Sequence, residues 1–159
     1  MSESLESRIG QAMHRLLEWV PVRDVAPATG AVWTATQLAQ VGRAFTLNTE
    51  QVEQARQMAQ GILGGEGAWA WQRSALMWHA NEVALTHAGQ LLRLDRLVQR
   101  RDTGAWWVLD FKSSAQPQTQ AALCAQLREY RAALAPVYPG QAVHTAFLTP
   151  QGRLIELLD

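Results

Sequence analysis

The sequence predicts an α/β domain: an N-terminal helical segment, then a mixed sheet made of a three-strand antiparallel meander, a helix and two further strands, with helices flanking it. Two patterns predict this. Apolar residues recur at helical spacing up to about residue 80, and from about Asn81 the period shortens to the alternation of strands. Length agrees, since 159 residues at 48% hydrophobic make one domain with a sizeable core. One domain over 1–159 is expected, with 1–80 mainly helical and 81–159 carrying the sheet.

From Ser4 to Val20, the residues Ile9, Met13, Leu16, Leu17 and Val20 form the apolar stripe of a helix that Pro21 stops, and His14 projects from the edge of that stripe. A weaker helix carries Leu38, Val41 and Phe45 behind Thr34 or Thr36. A clearer one, capped by Asn48 or Thr49, runs through Val52, Ala55, Ala59 and Ile62 until Gly61, Gly64, Gly65 and Gly67 dissolve it. Trp69 to Met77 reads as one more short helix. Strands follow at Glu82 to His87, Leu91 to Arg100 and Ala105 to Ser113, joined by the turns Ala88-Gly89-Gln90 and Asp102-Thr103-Gly104. Leu123, Leu127, Tyr130 and Leu134 mark a long helix that ends before Pro136. Ala142 to Leu148 and Leu154 to Leu157 close the chain as strands around Pro150-Gln151-Gly152.

Composition excludes several function classes. Fourteen basic and fourteen acidic residues cancel, so nucleic acid cannot be held by overall charge and any such contact must be local. A single cysteine, Cys124, rules out an internal disulfide, a four-thiolate iron–sulfur cluster and a Cys-rich zinc site, and a reducing compartment is the default. The acidic opening lacks the basic and apolar regions of a signal peptide, and no apolar run approaches a membrane span, so a cytoplasmic protein without membrane partners is expected. There is no P-loop motif, hence no nucleotide cofactor.

Chemistry concentrates in the strands. Asp95 interrupts the apolar run Leu92 to Val98, where a charge costs several kcal/mol unless it is paired or bound to a metal. Asp110 and Lys112 end the run that begins at Trp106 and share a face with Val108, while Leu109 and Phe111 point the other way. Fifteen residues and a tight turn separate Asp95 from Asp110, so the two carboxylates can meet across neighbouring strands. Such a pair calls for a hard divalent cation, magnesium or manganese. The plainer alternative pairs Asp95 with Arg93 or Arg96 and Asp110 with Lys112, and makes His14 an ordinary helix histidine. Arg93, Arg96, Lys112, Arg128 and Arg131 form the local strip available to a phosphate backbone.

His14 within Gly10 to Glu18, Leu94-Asp95-Arg96-Leu97, Val108-Leu109-Asp110-Phe111-Lys112, and Gln126 with Tyr130 follow one another in that order. Together they resemble the PD-(D/E)XK nuclease superfamily, and more narrowly the RecB- and AddA-type nuclease domain at the C-terminal end of UvrD-like helicase–nucleases, the exonuclease V β-subunit type. The resemblance spans nearly the whole chain and implies a restriction-endonuclease-like fold. It implies that His14, Asp95 and Asp110 are side-chain ligands of Mg²⁺ or Mn²⁺, that the Phe111 carbonyl completes the set, and that Lys112 lies beside the attacking water or the scissile phosphate. Asp95, Asp110 and Lys112 would be the catalytic residues, with Gln126 and Tyr130 lining the site against DNA. Glu82 stands where many relatives have a glutamate and is a further acidic ligand candidate, the alternative being a surface residue. One departure is Leu92, where relatives often have glycine.

The function implied is a metal-dependent DNA nuclease of the repair and recombination type, acting on single-stranded DNA fed by a helicase domain or subunit in the same complex. The alternative is a catalytically inactive module of the same fold used for DNA binding or protein docking. A degenerate copy usually loses an acid or the lysine first, and His14, Asp95, Asp110 and Lys112 are all present. His79, His87 and His144 have no ligand-like spacing to the acidic set.

Overall fold

A computed structural model describes residues 3–24 and 31–158; Met1, Ser2 and the closing Asp159, which belong to the expected leaderless start and the 1–159 domain span, lie outside them. Three helices come first: α1 (Leu5–Glu18), α2 (Ala35–Ala44) and α3 (Thr49–Leu63). Ser4 caps α1 by accepting from the Ser7 amide. Thr34 with Gln37, and Asn48 with Gln51, close reciprocal capping boxes on α2 and α3, satisfying donors that a helix start leaves unpaired. These settle the two open choices of cap in favour of Thr34 and Asn48.

The sheet has five strands in sequence order: β1 (Leu76–His87), β2 (Gln90–Arg100), β3 (Trp106–Phe111), β4 (Val143–Leu148) and β5 (Leu154–Leu157). All neighbours are antiparallel except β3 and β4, which are parallel because α4 (Ala121–Leu134) crosses between them. The expected α/β architecture is thus present. Helices α1 and α3 cover one face, burying Leu109, Phe111, Ala146 and Leu148; α4 covers the other, burying Leu94, Leu97, Val108 and Phe147. The alternation expected for β3 holds, with Leu109 and Phe111 on the α1 side and Val108 on the α4 side.

Two expectations are corrected. Trp69 to Met77 is not a helix but two short 3₁₀ turns, Ala68–Trp71 and Arg73–Ala75, followed by the start of β1. Consequently β1 begins at Leu76, not Glu82, and the sheet starts inside the stretch read as helical. The reason is tertiary: β2 runs to Arg100, and its register pairs that residue with Leu76. The first half of β1 is an exposed sheet edge where Met77, Trp78 and His79 all face solvent, so no apolar alternation marked it. β3 is also shorter than Ala105 to Ser113; beyond Phe111 only the Lys112 amide still reaches the β4 end, at Leu148.

Candidate active site

The site forms where β1, β2 and β3 break regular pairing together. In the ladder Asn81 pairs with Arg96 and Val83 with Leu94, leaving Glu82 and Asp95 between those pairs. Glu82 has φ +52°, the left-handed region that costs a non-glycine residue about 1–2 kcal/mol. Side chains change face across this point: Val83 and Leu94 pack under α4, whereas Asn81 reaches the α1 backbone and Arg96 the Ala70 backbone. The β2–β3 ladder ends at Arg96 and Leu109, so Asp95 and Asp110 come just past its last pair. The Phe111 amide there donates to Asp95 Oδ2 at 2.8 Å. This gap lets His14, from the α1 face, meet acids that line a cavity under α4.

His14 is aimed by its own helix. Its Nδ1–H donates to the Gly10 carbonyl at 2.9 Å, and its Nε2 stands 3.2 Å from Asp95 Oδ2. Burial opposes charge on the ring, but the hydrogen bond and charge of Asp95 outweigh it, with smaller help from the Gly10 carbonyl and Asp110, and raise the pKa to about 9. Burial likewise opposes ionisation of Asp95, yet His14, Asp110 and the Phe111 amide together hold it below the usual carboxylate range. Asp110 goes the other way. Burial, then the charge of Asp95 and the proton Asp110 donates to it, push its pKa to about 7 against the pull of Lys112.

Lys112 Nζ lies 3.0 Å from Asp110 Oδ2, an ion pair on a buried oxygen. Lys112 also donates to Gln126 Oε1 at 3.4 Å. Gln126, Glu129 and Tyr130 of α4 line the same cavity as His14, Asp95, Asp110 and Lys112. Burial and the surrounding carboxylates, Asp110 first, hold the Tyr130 hydroxyl well above its ordinary pKa, so it is a neutral wall. Leu92, the residue in place of a glycine, lines the cavity mouth with Leu91.

The residue types fit a hard divalent ion. Ligands around a six-coordinate magnesium at about 2.1 Å stand roughly 3 Å apart, and His14 Nε2 and Asp95 Oδ2 are already 3.2 Å apart. Asp110 and Asp95 are two buried carboxylates close enough to feel each other's charge, the kind of pair a cation would stabilise. Among the described residues no three His, Cys, Asp or Glu side chains are yet closed around one point; His14 and Asp95 instead hydrogen-bond each other.

The chain matches the family model described as the PD-(D/E)XK nuclease superfamily over residues 1–155. It belongs to that superfamily. A restriction-endonuclease-like fold and a nuclease-type domain follow from this, whereas comparison with curated proteins finds nothing that matches. No helix among the described residues is long and apolar enough to cross a membrane.

Other expected positions divide. Glu82 is not among the residues lining the cavity, though it feels the charge of Asp95: burial, then a hydrogen bond and charge from Glu18, then Asp95, raise its pKa, while Arg93 at 3.6 Å opposes this. Arg93 is exposed at the cavity rim, Arg128 is exposed on α4, and Arg131 is half-buried. Arg96 must be withdrawn from the DNA-contacting strip, because it is fully buried with its donors bound to Ala70 O and Asn81 Oδ1. It does not pair with Asp95 either. Sequence reasoning gave no role to Glu18, Asn81 or Glu129; Glu18 could have been found, since it follows His14 by one helical turn and so shares its face.

Proposed function

We propose that this domain is a Mg²⁺- or Mn²⁺-dependent deoxyribonuclease of the RecB and AddA type, hydrolysing phosphodiester bonds in DNA repair and recombination beside a helicase domain or subunit. The observation that carries this reading is the convergence of His14 from α1, Asp95 from β2, and Asp110 and Lys112 from the end of β3 on one cavity.

In this reading His14 Nε2, Asp95, Asp110 and the Phe111 carbonyl hold the ion, and Glu82 adds negative charge behind it. The bound ion supplies Lewis acidity to a phosphodiester oxygen and makes water acidic enough to attack near neutral pH. The Gly10 carbonyl fixes the His14 tautomer by accepting from Nδ1–H, so the lone pair of Nε2 is free once the ring is neutral. Lys112, kept near the acids, orients the water and neutralises charge that develops on the phosphate. Gln126 and Tyr130 shape the wall along which the strand lies, and Arg93, Arg128 and Arg131 are the phosphate contacts left after Arg96. With no net charge, the domain binds DNA weakly alone, which suits a strand delivered by a motor.

The test is incubation of the purified chain with end-labelled linear single-stranded and double-stranded DNA and with circular DNA, in magnesium, manganese or chelator. Metal-dependent loss of linear single strands with circles spared is expected. Intact DNA under every metal condition, from protein that is folded, would overturn the reading.

A further inference from the structure

Arg96 presents a problem that the site itself does not explain. A buried guanidinium is expensive and is ordinarily matched by a carboxylate, yet its hydrogen bonds all go to neutral oxygens: two to Ala70 O, at 3.1 and 2.7 Å, and one to Asn81 Oδ1 at 2.7 Å. Burial alone lowers its pKa to about 10, which leaves it charged at neutral pH. The other half of the Asn81 amide donates at 3.1 Å to the carbonyl of Glu18, the last residue of α1. Carbonyls in a final helical turn have no partner within the helix, so this bond ties the end of α1 to β1 at one defined height.

The tie lies one turn from His14, and Arg96 adjoins Asp95 in the chain. A second route runs through rings. Arg96 lies 4.9 Å over Trp71, Trp71 stacks on Phe111 at 5.9 Å, and His14 packs against Phe111 at 5.7 Å. Both routes start at Arg96, and both end on the helix turn that carries His14. They close where His14 meets Asp95 at 3.2 Å.

We propose that Arg96 and Asn81 are positioning residues, a buried brace that sets the height of α1 against β2 and so fixes the separation of His14 Nε2 from Asp95 Oδ2. The proposal rests on the reading of those two side chains as ligands of one ion. It gives the charge of Arg96 a geometric role, because a fork of fixed shape can grip Ala70 and Asn81 at once, where a neutral side chain of similar bulk could grip neither.

Asn81→Asp separates the brace from the fold. The carboxylate keeps an acceptor for Arg96 but replaces the donor to Glu18 with an oxygen that faces a carbonyl. Three measurements on the full chain decide the matter: metal-free melting temperature, Mn²⁺ affinity by electron paramagnetic resonance, and the hydrogen-bonded Nε2 proton of His14 by NMR without metal. We expect a melting temperature equal to the parent's or higher, Mn²⁺ binding weakened about tenfold, as for other groups that orient metal ligands, and loss of the Nε2 proton signal. The added negative charge would by itself attract a cation, so weaker binding has to come from geometry. Parent-like Mn²⁺ binding together with an unchanged Nε2 signal in Asn81→Asp would overturn the brace. Should the parent bind no Mn²⁺, the ligand reading fails, and the Nε2 signal still decides the brace: its loss supports the brace, its persistence overturns it. Arg96→Lys, which keeps the charge and loses the fork, should lower the melting temperature, weaken Mn²⁺ binding and diminish the Nε2 signal.

Discussion

Arg96 and Asp110 lie on adjacent strands, both ionisable and both shut from solvent, at 1% and 3% exposure. Their surroundings are opposite. Each guanidinium nitrogen of Arg96 has a partner: two bonds to one carbonyl, one to an amide, and an indole beneath the cation. Asp110 stands between Asp95 and Lys112, and burial first, then the charge of Asp95, push its pKa to about 7. The first charge is finished by neutral partners, and the second is left unfinished beside a like charge. The partners, more than the burial, set these two side chains apart.

The largest effect is expected where the unfinished charge is removed. Asp110→Asn keeps the shape and should cut metal-dependent cleavage by two or more orders of magnitude, as should Lys112→Ala through lost charge stabilisation, while the metal-free melting temperature of Asp110→Asn stays level or rises. A melting temperature that falls in both variants, with no cleavage in the parent to lose, would make Asp110 structural like Arg96. Removing the finished charge should do the reverse. Arg96→Met strands the Ala70 carbonyl and the Asn81 amide, and chemical denaturation should show a loss of about 3 kcal/mol.

A third comparison uses pH. Folded His14 keeps its proton to about pH 9, against 6.5 for the free side chain, so its stabilising effect is complete below 6.5 and fades as pH rises through 9. Asp110 also binds its proton more tightly when folded, to about pH 7 against 3.8, so it too favours the folded state less as pH rises. The metal-free melting temperature should therefore fall between pH 6 and 9.5. An ion must displace these protons, so Mn²⁺ affinity should rise over the same range, by up to about tenfold per pH unit for each proton released. Calorimetric titration at several pH values checks this, and an affinity flat with pH would detach His14 and Asp110 from the ion. The smallest effect belongs to Glu82→Gly. Glycine accepts φ +52° without strain, and losing this carboxyl relieves its contact with Glu18, so thermal denaturation should show a gain of up to about 1 kcal/mol.

Much of the sheet was legible because it is amphipathic. Leu109 and Phe111 against Val108 and Trp106 told the two faces of β3 apart, and the fifteen-residue spacing brought Asp95 near Asp110. The first half of β1 was hidden, because an exposed edge need not alternate. The misread Arg96 has a visible trace in hindsight: Leu92, Leu94 and Leu97 all pack under α4, and the step of three between the last two marks the change of face that turns Arg96 inward. Reading β2 as a regular strand put that arginine in a strip open to DNA. Nothing local marks Asn81, whose partners Glu18 and Arg96 are distant in sequence and meet it only once α1 docks.

Lys112 carries one more consequence. Of the fourteen basic residues in the chain thirteen are arginines, and Lys112 is the only lysine. Apart from an α-amino group, the chain therefore offers acylating reagents a single target, and it sits against Asp110 and Gln126 in the cavity. Routine amine coupling to a dye, a bead or a sensor chip would modify the very group proposed to meet the phosphate. An amine-reactive label becomes an active-site probe, and immobilisation is better made through a terminal tag, since the Cys124 thiol is buried.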